Sequence, residues 1–548
     1  MKAKYIILSA LSAIALTSCE NFLDEHYLGG TQDKEQVAQT VDAIPERINA
    51  SVSGMYAKLG EPYAYYGRSQ NRADDMAYPA IAISLDLNSG DMVTIESGYD
   101  WFSVASEYSD RTPNYANPRM RQGLMYNVIY ATVEVLESIP DDTENEELIA
   151  KRGQAKAIRA FAYLSLVPYY QFAYKGHEDQ PTVPIMSDEN DPLNNPRASV
   201  KDIYDYIIKD LTDAIADLEG FKRSNKGIID QNVAYGIRAR AYLNMEEWAK
   251  AAEDAEKAMD GYTPYAMSEL TEPGFYNASD HSWIWAILIP SETAGQAYAT
   301  WPSQLGSFSG NGYTAGTGIY RMINTLLWNK IPTSDIRRAW WVDENLESPY
   351  LENLTWKDEA EGITYKGQEI GPAKIADVKE PFIPYSNVKF GQRSGIGSPY
   401  NDGDWCLMRS EEMILIRAEA LAKAGDLAAG KALLQSFVQG NRDPQFTSKA
   451  STVEAFSDEV WLQRRIELWG EGFAQADRMR LNKNIFKYRK GDNNSNVPEN
   501  YRFNIPAGDP WLLMRFPTTE INGNAAIVQN EGGTLPQPGD GLDEVTSD

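Results

Sequence analysis

Cysteine is almost missing from this chain: its 548 residues include two, Cys19 and Cys406. A disulfide framework is therefore excluded as a source of stability. Histidine is nearly as scarce, with His26, His177 and His281 far apart and no H-E-x-x-H helix, which leaves a zinc hydrolase without ligands. No G-x-S-x-G elbow occurs, and the glycines from Gly306 to Gly318 lack the Gly-Lys-Ser/Thr ending of a phosphate loop. The pattern calls for no metal, no cofactor and no catalytic residue. Positive charge is in deficit: 51 Lys and Arg face 78 Asp and Glu, for a formal net charge of −27. Such a surface repels phosphates, so nucleic acid and anionic lipid headgroups are excluded as partners, while a neutral ligand such as a sugar is not. Beyond the N-terminus no apolar run is long enough to span a bilayer.

The N-terminus itself is informative. Lys2 and Lys4 precede an apolar run from Tyr5 to Leu16, the charged and hydrophobic regions of a secretory signal over residues 1–18. Leu16-Thr17-Ser18-Cys19 resembles the bacterial lipobox, in which the cysteine is acylated. An ordinary signal peptide with an incidental cysteine is the competing reading, and it leaves Cys19 without a use. Each buried methylene adds about 0.8 kcal/mol of membrane affinity, so a multiply acylated Cys19, carrying palmitate-like chains, would anchor stably. Residues 19–34 then form a lipidated tether and 35–548 the folded part. Cys406, within an apolar run, reads as a small buried hydrophobe.

The folded part uses one heptapeptide three times: Ile158-Arg159-Ala160-Phe161-Ala162-Tyr163-Leu164, Ile237-Arg238-Ala239-Arg240-Ala241-Tyr242-Leu243 and Ile416-Arg417-Ala418-Glu419-Ala420-Leu421-Ala422. Free of glycine, proline and β-branched runs, each copy predicts helix, and the paired alanines allow a second helix to approach closely. Two copies continue through a short turn into a second periodic stretch (Trp248, Ala251, Ala255, Ala258 and Leu427, Gly430, Leu434, Phe437). This is the tetratricopeptide pattern, a helix hairpin that buries its face only by stacking on neighbours. The fold class expected is mostly α, with tetratricopeptide-like helix pairs as scaffold, a loop-rich aromatic lobe and a few short strands. Helices are predicted at 37–59, 120–139, 148–170 with a break at Pro168 and 200–218, then through the second heptapeptide hairpin to Met259, and in a final block at about 410–484. Irregular insertions occupy about 61–117 and 261–399, 178–197 is a loop, and the tail after Asp540 reads as frayed.

Binding sites favour loops held on a rigid scaffold. A sugar needs exposed aromatic faces for its apolar ring and amide, carboxylate or guanidinium groups for its hydroxyls. The first insertion offers Tyr99 and Trp101 with Asn71, Arg72 and Asp74 upstream; the second offers Tyr298, Trp301 and Tyr313 among small residues. Trp283 and Trp285 flank Ile284 and read as buried strand, and Trp340 and Trp341 as packing.

Several segments resemble the SusD/RagB family of surface lipoproteins. Arg409-Ser410-Glu411-Glu412 through Ala418-Glu419-Ala420 is similar to R-x-x-E-x-x-L-x-x-A-E-A, and Arg464-Arg465-Ile466-Glu467-Leu468 through Asp477 to R-R-x-E-L-x-x-E-G-x-R-x-x-D, with Ala474 in place of an arginine. Pro517 to Asn522 and Gln529-Asn530 resemble the family's closing motif, although Glu531 stands where proline is expected, and Phe22-Leu23-Asp24 its mature start. The resemblance implies an outer-membrane lipoprotein facing the exterior that captures glycans and lies over a SusC-like TonB-dependent transporter, without chemistry of its own. Glu411, Glu467 and Asp477 would be structural partners of nearby arginines. Two rival classes are a surface glycoside hydrolase, for which nothing selects two carboxylates, and a tetratricopeptide scaffold for protein partners, which leaves the aromatic insertions unexplained.

Overall fold

The structure is a computed structural model, and it describes residues 34–186, 191–294, 298–352, 354–358, 362–366 and 381–548. The signal segment, Cys19 and the tether up to Asp33 lie outside the described residues, as do Asp188, Glu189 and Asn190 of the 178–197 loop.

Helices α1 (Lys34–Ala43) and α2 (Asn49–Ala57) open the chain. Helix α3 (Tyr78–Ser89) and strand β1 (Met92–Thr94) follow, then α4 (Ala116–Glu137), α5 (Glu146–Leu164), α6 (Val200–Asp217), α7 (Gln231–Met245) and α8 (Trp248–Ala258). The second lobe contributes β2 (Trp283–Ile287), β3 (Arg321–Ile323), β4 (Thr355–Asp358) and β5 (Ile363–Lys366) among short helical turns. Last come β6 (Trp405–Arg409), α9 (Ser410–Lys423), α10 (Leu427–Asn441), α11 (Val453–Glu467) and α12 (Ala474–Arg480), then β7 (Ile485–Phe486) and β8 (Asn504–Ile505). Strands pair only in antiparallel twos: β1 with β3, β2 with β6, β4 with β5 and β7 with β8.

From α4 to α10 each helix packs on the next, with α8 joining the middle hairpin to α9. Side chains satisfy the free N–H groups that begin these helices. Asn145 accepts from Glu147 and Leu148 in α5, Ser199 from Asp202 in α6, Asp230 from Val233 in α7 and Asp426 from Ala429 in α10. The heptapeptide alanines 160, 162, 239, 241, 418 and 420 are fully buried. Close approach is enforced by glycine too: a Cβ at Gly430 would stand 2.6 Å from the Ala418 carbonyl oxygen, and one at Gly236 2.2 Å from Met408 Sδ. Ala241→Trp or Ala420→Trp is therefore expected to overpack a helix contact and destabilise by about 1–3 kcal/mol or more. An unchanged melting temperature would contradict that packing.

Two expectations need correction. The first insertion is not irregular throughout, because it contains α3, eleven of whose twelve residues are buried. A helix covered on all sides has no polar face, so its sequence shows no amphipathic period. Nor is the tail frayed: Asn504 donates to the Asp540 carbonyl at 3.0 Å, Val545 is buried, and Asp548 pairs with Arg465 at 2.8 Å. Trp283, Trp285, Trp340 and Trp341 are core, and Cys406 is a buried free thiol in β6.

The core of the C-terminal helices is ionic. Glu467 accepts from Arg409 Nη1 (2.8 Å), Arg442 Nε and Nη2 (both 2.8 Å) and Arg337 Nη1 (3.1 Å). Glu471 binds Arg409 Nε (2.9 Å) and Lys389 (2.7 Å), and Glu411 binds Arg442 (3.0 Å). Asp477 pairs with Arg464 and Arg480. Full burial pushes the Glu467 carboxyl up, but Arg442 and Arg409 outweigh it and hold the group well below the ordinary range. The signature acids are thus structural partners of the surrounding arginines.

Candidate functional site

The two aromatic insertions meet in one place. The buried Asp75 carboxylate accepts the backbone N–H groups of Tyr65 (3.0 Å) and Tyr66 (2.7 Å) and shapes the turn that presents Tyr63 and Tyr66. Asp74, also fully buried, binds Arg72 Nη2 at 2.8 Å. Burial pushes both carboxyls above the ordinary range, in Asp74 against the opposing pull of Arg72. Held in this way, the Arg72 guanidinium lies 5.5 Å from the Tyr66 ring centroid and 4.8 Å from that of Trp101. Cation–π contacts of this kind contribute about 0.5–2 kcal/mol each and stiffen the rings they join.

From Trp101 the chain of contacts crosses to the second insertion. Trp101 Nε1 donates to the Tyr313 hydroxyl at 3.0 Å, and Tyr313 meets Tyr298 edge to face at 6.0 Å. A cleft of about 300 Å³ opens between Tyr99, Tyr298 and Tyr313, with Gly310, Asn311, Gly312, Gly316 and Thr317 completing it. Tyr99 is 75% exposed and Tyr298 45%, so both can present a ring to a ligand. The glycines permit a tight double loop. A Cβ at Gly310 would stand 2.0 Å from the Gly397 carbonyl oxygen, and one at Gly312 2.3 Å from Ser309 Oγ. Gly310 N–H donates to Ser398 O, and Asn401 Nδ2 to Asn311 Oδ1.

The segment carrying Tyr99 and Trp101 is pinned by the residue between them. Asp100 receives Arg321 Nη1 at 2.7 Å and Nη2 at 2.9 Å, and accepts the Phe102 N–H. Arg321 is in β3, paired with β1, so the ion pair fastens the first insertion to the second.

Of the sequence candidates, Asn71, Arg72, Asp74, Tyr99, Trp101, Tyr298 and Tyr313 gather around this cleft or directly behind it. Asn71 is exposed, with left-handed backbone (φ 48°), and faces the Tyr63 hydroxyl. Asp74 is too buried to touch a ligand and acts by positioning Arg72. Trp301 must be corrected. It is 1% exposed, donates Nε1 to Gly403 O at 2.9 Å and packs against Phe390 and Trp405, so its ring belongs to the core. Asn311, Thr317, Arg321 and Asp100 were missed, although Asp100 between two aromatic candidates was a usable signal. Among the described residues no carboxylate lines the cleft, and no group of three His, Cys, Asp or Glu is placed to hold a metal ion. What the arrangement can do is stack rings and exchange hydrogen bonds with hydroxyls.

Fold and cleft together define a helical-repeat scaffold carrying an open, tyrosine-lined cleft. A family model described as starch-binding and associating with outer membrane matches residues 26–243, and a model of the SusD family matches 355–532. The chain belongs to the SusD/RagB family. Similar solved structures include a SusD-like carbohydrate binding protein from Bacteroides vulgatus (22% identity, 89% of this chain and 98% of that one covered, TM-score 0.69). A SusD superfamily protein from Bacteroides thetaiotaomicron is similar at 21% identity, over 89% and 99% of the two chains, with TM-score 0.67. A laminarin binding SusD-like protein matches at 17% identity over 89% and 99%, with TM-score 0.60. At these identities the likeness is one of fold. No curated protein matches the chain, and among the described residues no helix is long and apolar enough to cross a membrane.

Proposed function

We propose that this protein captures glycan chains at the cell surface and passes them to a SusC-like TonB-dependent transporter, held to the outer membrane by acylated Cys19. The observation that carries the glycan reading is the pair of exposed tyrosine rings, Tyr99 and Tyr298, over an open glycine floor with amide and hydroxyl groups alongside. Sugar rings offer flat C–H faces rimmed by hydroxyls, and this lining matches both. Binding rather than cleavage is favoured because glycoside hydrolysis needs two carboxylates flanking the scissile bond, and Asp74, Asp75 and Asp100 are committed to structural hydrogen bonds.

Tyr99→Ala and Tyr298→Ala are expected to weaken glycan binding by about 0.5–1.5 kcal/mol each beyond lost area, with the circular-dichroism signal unchanged. Titration of a polysaccharide panel against each variant measures this. Normal binding by both variants would place the platform elsewhere, and shortened oligosaccharides released by the unmutated protein would move a hydrolase to first place. For the anchor, Cys19→Ala should release the protein from outer membranes that lack the transporter; retention there would refute acylation as the tether.

A further inference from the structure

A roomier crevice, about 560 Å³, opens on the helical scaffold, lined by residues other than those of the tyrosine cleft. It forms where helices end. α7 and α12 are each followed by left-handed backbone, at Glu246 (φ 61°) and Asn482 (φ 50°), which turns the chain sharply away. Lys423 closes α9, and the loop carrying Lys175 adds to the lining.

The lining has a distinct chemistry. Arg480 is bound by Glu419 (2.7 and 2.8 Å) and Asp477 (2.8 Å), so its charge is neutralised internally. Lys175 and Lys423 make no ion pair among the described residues. Their ammonium groups lie instead near ring faces, 5.6 Å from the Tyr174 centroid and 5.8 Å from that of Trp248. Two lysines outside any ion pair stand out on a chain of net charge −27, with Glu246 sharing the lining and Glu178 within electrostatic reach of Lys175. Beside them are the half-buried indole of Trp248 and the amides of Asn244 and Asn482.

We propose that this crevice is a second ligand site that takes a sugar acid, an oligosaccharide bearing uronic carboxylates. Trp248 supplies a ring face, the two amides meet hydroxyls, and Lys175 and Lys423 receive the carboxylates. The volume lies within the range of small-molecule sites. The tyrosine cleft offers no ammonium group among its described lining.

Calorimetric titration of the purified full chain with trigalacturonate, and separately with neutral maltotriose, tests this. Trigalacturonate should bind the unmutated protein and weaken from low to high salt. It should lose at least about tenfold in affinity in the Lys175→Ala/Lys423→Ala double variant, while Lys423→Arg retains binding. Any maltotriose binding should be indifferent to the double variant. Absence of trigalacturonate binding, insensitivity to loss of the two lysines, or equal competition by triglutamate would each overturn the proposal. Lys175 is exposed and Lys423 half-buried at the end of α9, and an unchanged melting temperature of the double variant confirms that only the crevice was altered.

Discussion

Replacing Glu467 by alanine is expected to cost about 3–5 kcal/mol or more, a large part of the stability of an ordinary domain. The carboxylate is fully buried and is shared by Arg337, Arg409 and Arg442. Its removal strands three guanidinium groups away from water with Glu411, Glu471 and Asp335 as their remaining acid partners. Glu467→Gln keeps the shape but not the charge, and should fall between the alanine variant and the native protein. Urea denaturation of the three proteins measures the order, and a midpoint for Glu467→Ala equal to the native one would show that the cluster carries no stability. The same acids set the response to pH. Glu467, Glu471, Asp91, Asp110 and Asp477 are all held below their ordinary values by adjacent cations despite burial. For a carboxyl lowered on folding, the stabilisation is complete above the unfolded value of about 3.8–4.5 and is lost as pH falls through the folded value. Stability from this cluster should therefore persist through mildly acidic medium and decline only below about pH 4.

Trp301→Ala and Trp101→Ala should separate two roles that look alike in sequence. Trp301 fills core space against Phe390 and Trp405, so its truncation should cost about 3–5 kcal/mol and lower the melting temperature. Trp101 is half-buried behind the cleft, between Arg72 and the Tyr313 hydroxyl. Its loss frees Tyr313 and Arg72 and should weaken glycan binding with a smaller effect on melting. Equal thermal shifts in the two variants would mean that both rings are core.

These two tryptophans show where sequence reading stops. Both sit in glycine- and proline-punctuated stretches, and nothing local says that the turn beginning at Thr300 drives one ring inward while Asp100 holds the other near the surface. Seven candidates nevertheless converge, because residue types suited to a sugar were sought in both insertions. Their contact through Trp101 and Tyr313 spans 212 positions and follows from tertiary assembly alone. The solenoid helices are legible from the repeated heptapeptide and its paired alanines, and α6 and α8 also keep a one-sided 3.6-residue period. Helix α3, covered on all sides, keeps none, so its sequence reads as part of an irregular insertion. Glu411, Glu467 and Asp477 read as structural from sequence because arginines flank them in the same signature, and they pair with arginines in the fold.

Helix α3 also bears on how the chain assembles in time. Its Asp86 waits for the N–H groups of Gly472 and Ala474, and Asp91, just beyond it, for Arg465 and Arg478. Every one of these partners emerges from the ribosome hundreds of residues later. Until then the segment lacks its shell. Such long-range closure also slows folding. In pulse-labelling hydrogen exchange during refolding, α3 should gain protection together with α11 and α12; early protection of α3 alone would refute this order. Completion of the fold is thereby timed by the arrival of its last helices.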